Sequence, residues 1–170
     1  EARFICGLVG DIVVASAYIP NGQEVGSDKY KYKLNWLHWL RSYVDKQLDQ
    51  SRPVVIGGDF NVARHDDDCH DPDRWRGNLL FSEAEKAGLE EFIALGFTDV
   101  FRHHNPKGKY FSWWDYRAMG FERNEGLRID YLFMNTPAVQ RCSATWIDRE
   151  ERMLERPSDH AAVVSTIEPQ

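Results

Sequence analysis

Pro53-Val54-Val55-Ile56-Gly57-Gly58-Asp59-Phe60-Asn61 is a β-branched run that stops at two glycines and then presents a carboxylate and an amide. The apolar run predicts a buried strand over 53–58. A strand that ends at paired glycines brings the next polar side chains out at the C-terminal edge of a sheet, where α/β folds place their ligands. On an extended chain Asp59 and Asn61, two residues apart, point to the same side. Together they can hold a metal, a water or a phosphate. Gly, Asp and Asn are also ordinary turn residues, so the stretch reads equally as a plain turn.

Upstream, two short apolar runs at 4–8 and 12–17 flank Gly10-Asp11 and predict a hairpin. Its second strand delivers Tyr18 to the edge of a Pro20-Asn21-Gly22 turn. A tyrosine there suits sheet packing as well as function. Ser27-Asp28 caps a helix running to about Gln50, with Leu37, Leu40, Val44 and Leu48 at the spacing of one buried face. The strand at 53–58 then completes a strand–helix–strand unit.

Downstream, His65-Asp66-Asp67-Asp68-Cys69-His70-Asp71 is too crowded for the paired ligand spacings of structural zinc and reads as a solvated acidic loop. Ser82 and Glu85 form a capping box that opens a helix to about Leu95, closed by Gly96. A short strand is expected over 97–101. The segment 110–117 carries five aromatics in eight residues, whose alternation in a strand would send some rings to the core and some to a cleft. The run 127–134 reads as a strand in which Asp130 falls among apolar residues, a costly position for a carboxylate without a partner. Further strands are expected over 139–147 and 161–167, separated by a charged segment and by Pro157-Ser158-Asp159-His160.

A chain of 170 residues with 42% hydrophobic content is long and apolar enough for one globular domain, taken as 1–170. No apolar run approaches the roughly 20 residues of a membrane span, and the start shows no secretory signal. Three dispersed cysteines, Cys6, Cys69 and Cys142, argue against a disulfide framework and suit a reducing cytoplasm. A net charge of −6 gives no support for nucleic-acid binding, unless Arg and Lys cluster locally or a divalent cation intervenes.

The polar groups at the predicted strand ends form a pattern: Tyr18 with Asn21, Asp59 with Asn61, Asp130, and Asp159 with His160. Several carboxylates and one histidine suit metal-assisted hydrolysis of a phosphate ester. Oxygen-rich ligands favour Mg²⁺ or Mn²⁺ over zinc. Asp130 is positioned by this reading to hold His160, orienting its ring and raising its basicity.

Six stretches, in order along nearly the whole chain, resemble one family: Tyr18-Ile19-Pro20-Asn21-Gly22, Gly58-Asp59-Phe60-Asn61, Asp71-Pro72 with Trp75-Arg76-Gly77, Phe111-Ser112-Trp113-Trp114-Asp115-Tyr116-Arg117, Gly126-Leu127-Arg128-Ile129-Asp130, and Ser158-Asp159-His160. The chain resembles the exonuclease III-type AP endonucleases, bacterial branch, of the endonuclease/exonuclease/phosphatase superfamily. The resemblance implies an αββα four-layer sandwich (DNase I-like) and a Mg²⁺-dependent DNA-repair hydrolase. It implies cleavage 5′ to abasic sites in double-stranded DNA, with 3′→5′ exonuclease and 3′-phosphatase activity on blocked 3′ ends. By position it casts Tyr18, Asp59, Asn61, Asp130 and His160 as catalytic and Asp59, Asn61 and Asp159 as metal ligands. Asn21, Trp113, Arg117, Leu127 and Arg128 become DNA contacts, with Trp113 and Leu127 lining an abasic pocket.

The resemblance covers the C-terminal two-thirds of the family pattern. Family members begin with a strand carrying an Asn and a segment carrying a metal-binding Glu. Neither lies among the 17 residues before Tyr18, and Glu1 opens on what reads as a later strand. The expectation is therefore a fold without its N-terminal strands, impaired activity, and an unpaired sheet edge that invites self-association in an otherwise monomeric fold. Two other classes fit the same residues. One is a catalytically dead fragment that keeps the DNA-facing surface. The other is a superfamily phosphatase on a small substrate, which the tryptophan-rich stretch disfavours.

Overall fold

The computed structural model describes residues 2–169, so the expectation placed on Glu1 lies outside the described residues. Strands Phe4–Val9 (β1) and Ile12–Tyr18 (β2) form the expected antiparallel hairpin, turning at Gly10 with φ +61°. Strand Val54–Asp59 (β3) lies parallel to β2, connected by helix Asp28–Gln47 (α1). The Ser27 hydroxyl accepts a hydrogen bond from the Tyr30 amide and so caps α1, as the sequence predicts. Beyond β3 the sheet continues through Asp130–Met134 (β7) to Thr98–Asp99 (β4), giving the order β1-β2-β3-β7-β4.

Alternation along the strands sorts their side chains onto two faces. Ala15, Ala17, Val54, Ile56, Tyr131 and Phe133 pack against Leu37, Leu40 and Val44 of α1 and against Leu89 and Phe92 of helix Glu83–Ile93 (α3). The opposite face brings Val55, Leu132 and Met134 against Cys142 and Ile167 of a second, two-stranded sheet, Cys142–Asp148 (β8) and Ala162–Ile167 (β9). Helices, mixed sheet and second sheet are successive layers of the α/β, DNase I-like sandwich expected from the sequence. On the β1–β2 side of the inner face Ile5 is 73% exposed and Val9 65% exposed. Among the described residues no helix is long and apolar enough to cross a membrane.

Several local expectations change for identifiable reasons. The strand expected over 97–101 shrinks to β4, because the Asp99 carboxylate accepts from the Arg102 amide and starts a short helix, Val100–His104 (α4). Asn135 does the same for Thr136–Val139 (α5), so the strand expected from 139 begins only at Cys142. The aromatic segment 110–117 is extended in sheet form only at Trp113–Trp114 (β5), paired with Gly126–Leu127 (β6). A helical turn at Pro72–Trp75 (α2) follows the acidic loop.

That loop is not simply solvated. Asp68 is fully buried and accepts from Arg128 at 2.8 and 3.0 Å, while Arg102 donates to it at 3.0 Å. Arg128 also donates to Asp99 at 3.2 and 2.7 Å, and its guanidinium lies 4.5 Å from the centre of the Tyr131 ring. Arg128 is 0% exposed, which overturns its sequence-based role as a DNA contact. It is a strut between the acidic loop and the start of α4. Burial alone would raise Asp68, but the two guanidiniums outweigh it and hold the carboxyl below the usual range. Replacing Asp68 with Ala leaves a buried guanidinium short of a partner and is expected to cost about 3–5 kcal/mol. Urea denaturation measures this, and a loss under about 1 kcal/mol would show that the strut is dispensable.

Candidate active site

Tyr18, Asp59 and Asp130 stand side by side across three strands. Tyr18 is in register with Asp59, and Asp59 with Asp130. The two glycines make this row attainable. Gly58 has φ +142°, and a Cβ there would lie 1.9 Å from the Ala17 carbonyl oxygen. A Cβ on Gly57 would meet the Leu132 side chain at 2.7 Å. At Gly58 any other residue would push β3 away from β2, whereas at Gly57 it would only have to turn the Leu132 side chain aside.

Asp59 and Asn61 do meet, but by a turn and not by strand alternation. The strand ends at Asp59, and Asn61 adopts φ +52°. The Asn61 backbone amide donates to Asp59 Oδ1 at 2.8 Å, and its side-chain Nδ2 donates to Asp59 Oδ2 at 2.9 Å and to the Ile19 carbonyl at 3.0 Å. Asn21 Nδ2 in turn donates to Asn61 Oδ1 at 3.2 Å. The turn therefore orients Asp59 and ties it to the Tyr18–Asn21 segment.

Asp130, the carboxylate that needed a partner, has two. Its Oδ2 accepts from Ser112 Oγ at 2.6 Å and pairs with His160 Nδ1 at 2.9 Å. Ser112 Oγ also accepts from the Ile129 and Asp130 amides. Ser112 is a site residue that the sequence reading quoted in its motif without a role. Its signal was a small hydroxyl among bulky rings, which only the fold connects to Asp130. The segment carrying His160 is strapped down beside it, since the Trp114 amide donates to the Asp159 carbonyl and the Ala161 amide to the Ser112 carbonyl.

Among the described residues, Asp59, Asp130 and His160 bring potential metal-ligand atoms within 4.8 Å of one another. Asp159 is not in that group. Its carboxylate oxygen Oδ2 accepts from the Trp113 indole at 2.9 Å and so holds the ring. Trp113 lines an open cleft of about 740 Å³ together with His70, Arg74, Trp75, Arg117 and Arg123. Arg74, Trp75 and Arg123 had no role in the sequence analysis, because α2 and the loop at 123 converge there only in the fold. Leu127 is wholly buried beside Ala63, Cys69 and Ile129, which corrects its expected place on the pocket wall to one beneath Trp113.

The electrostatics follow from crowding. Burial, and then the charge of Asp130, push Asp59 up to about 7, against the opposing influence of His160, the Asn61 amide and Lys33. For His160 burial favours the neutral ring, but the Asp130 hydrogen bond and the charges of Asp130, Asp59 and Asp159 prevail and push it up to about 9. The site thus offers a carboxyl raised toward neutrality beside an imidazole held in its charged form, a proton acceptor beside a cation.

The profile of the Endonuclease/Exonuclease/phosphatase family matches residues 3–160, and the chain belongs to that family. Its similarities lie with the exonuclease III-type enzymes within it. The exodeoxyribonuclease III of Haemophilus influenzae is 35% identical over 162 residues, 91% of this chain and 61% of that protein. A solved structure of a 3′ phosphatase from Neisseria bound to a product DNA hairpin superposes with a TM-score of 0.95 at 35% identity, covering 99% of this chain and 65% of that one. An AP endonuclease from Archaeoglobus fulgidus gives 0.94 at 35% identity, covering 98% and 65%. The chain thus spans somewhat under two thirds of the length of these relatives.

The His160–Asp130 pair has a thermal signature. The folded state keeps a proton on His160 up to about pH 9, whereas the unfolded state releases it near 6.5. The stabilisation is fully present below pH 6.5 and is lost as pH rises through about 9. The melting-temperature gap between wild type and His160→Gln is therefore expected to be widest below pH 6.5 and to close toward pH 9. Melts across that range check it, and a gap that widens with pH would contradict the pairing.

Proposed function

We propose that this chain carries the phosphate-cleaving centre of a DNA-repair nuclease acting on double-stranded DNA at abasic sites and blocked 3′ ends. The observation that supports it most is the row Tyr18–Asp59–Asp130 with His160 bonded to Asp130 at 2.9 Å. The Neisseria relative bound to a DNA hairpin and the Archaeoglobus AP endonuclease support DNA as the substrate class in this reading. An abasic nucleotide has no base to unstack, so it enters a cleft at low cost. Trp113 and Arg117 on the cleft wall are suited to receive it.

In this reading the Tyr18 hydroxyl, the Asn21 amide and the His160 imidazolium hold the scissile phosphate. The positive charge of His160 counters the charge that grows on the phosphoryl oxygens. Asp130 fixes the ring through Nδ1, leaving Nε2 as the nitrogen for the substrate. Asp59 accepts the proton of the attacking water or returns one to the leaving oxygen, and its position near pH 7 suits either duty. Asn61 keeps Asp59 aimed.

The donor set fits a hard divalent cation. Asp59 and Asp130 are adjacent carboxylates in a half-buried site, and the charge of one raises the other, so the pair favours a cation between or beside them. Asp59 and Asp130 are the groups that would hold Mg²⁺ or Mn²⁺. The ion would supply charge neutralisation on the phosphate.

The test is Mg²⁺- or Mn²⁺-dependent incision of a duplex with a single abasic site. It uses the 170-residue chain alone and fused to the N-terminal segment that the resemblance implies, taken from the Haemophilus relative. Cleavage 5′ to the lesion is expected at least in the fusion, and failure of both would overturn the proposal. Asp59→Asn and His160→Ala are expected to lower turnover roughly 10²–10⁴-fold. Duplex affinity in a gel-shift assay should stay within a few fold, and near wild-type turnover would remove their assigned roles.

A further inference from the structure

Lys33 breaks the pattern of its helix. The buried stripe of α1 runs Tyr30, Lys33, Leu37, Leu40, Val44, and Lys33 is 0% exposed at a position where the spacing calls for an apolar side chain. An ammonium has three N–H donors and must satisfy each of them when buried. Here the three acceptors come from three separate segments. Nζ donates to the Asn61 carbonyl at 2.6 Å, to the Asn21 carbonyl at 3.1 Å, and to the Glu85 carboxylate.

Two of those acceptors are the backbones of the residues that orient Asp59. The third, Glu85, is itself held by the Leu80 and Ser82 amides at the start of α3. The stem of Lys33 passes close beneath the turn that follows Asn21. A Cβ at Gly22 would lie 3.1 Å from Lys33 Cδ, and Gly22 has φ +99°. Burial pulls the Lys33 ammonium toward the neutral form, and Glu85 counteracts it.

We infer that Lys33, held by Glu85, is a positioning residue that clamps the Asn21 and Asn61 turns together from behind and so fixes the donors facing Asp59 and the phosphate. This rests on the proposed use of Asn21, Asn61 and Asp59 in catalysis. The turn at Asn61 has a left-handed conformation, φ +52°, which asparagine tolerates and which a fixed partner on its carbonyl holds in one place. The charge-assisted bond from Lys33 supplies that partner. A lysine that served stability alone would have no need to reach both site turns with the same ammonium.

The test compares Lys33→Met/Glu85→Gln, which removes the clamp without leaving a buried charge, with Lys33→Gln/Glu85→Gln, which restores a neutral donor. Both variants are made in whichever form of the protein incises the abasic duplex. The first variant is expected to melt cooperatively and to lose kcat by about tenfold to a hundredfold, since small misplacements of reacting groups cost that much. KM should change less than about threefold, and the second variant should recover part of the loss.

A second readout needs no substrate. The Asn61 Nδ2 protons, bonded to Asp59 and to the Ile19 carbonyl, should exchange with solvent faster in the first variant than in wild type by NMR. Wild-type kcat in the folded first variant would overturn the inference, and so would unchanged Asn61 exchange. If the first variant does not fold, the same two measurements on the Gln/Gln variant decide, with a smaller expected effect in the same direction. If no form incises DNA, the nuclease proposal fails while the Asn61 exchange still rules on the clamp.

Discussion

Two carboxylates, Asp59 and Asp130, face each other across adjacent strands at one edge of the sheet. Like charges at that spacing repel, and partial burial strengthens the repulsion. The surroundings of the site are arranged as compensation. His160 and Ser112 bind Asp130, the Asn61 turn binds Asp59, and Lys33 adds a positive charge from below. The remaining imbalance shows as an Asp59 that titrates near neutrality, which is also what makes it useful as a proton acceptor.

Holding such a pair requires a frame that does not yield. Gly58 lets β3 approach β2 closely enough to place Asp59 in the row. The Asp68–Arg128–Asp99 strut closes the base of the loops on the other side, and every charge in it has a partner. Buried ion pairs add little net stability compared with apolar packing, but breaking one is costly, and that asymmetry favours a single loop geometry over several. Trp113 and Arg117 line the candidate cleft, with Leu127 packed against the Trp113 ring from the buried side.

Much of this was legible in the chain. Short apolar runs bounded by turn residues located β1–β3 and β7, helical spacing located α1, and a capping box located α3. Caps were legible at Ser27 and Ser82, where the signal is local. Caps at Asp99 and Asn135 were not, and the adjoining strands came out shorter than expected. Their apolar neighbours look the same to a periodicity argument whether the chain continues as a strand or turns into a helix. Arg128 and Leu127 were assigned outward and proved buried, since a residue's motif position does not say which way its side chain points.

The sequence by itself determined the main strands and helices and the polar residues at the strand ends, because these follow from local spacing and residue type, and its ordered motifs carried the family resemblance that implied the fold. The tertiary structure alone decided how those residues pair. Asp130 meets His160 and Ser112, Asp159 turns to Trp113, and Lys33 reaches under both asparagine turns. These partners lie between 12 and 46 residues apart along the chain. Contacts over such separations are set by strand register and layer packing, which no local pattern encodes.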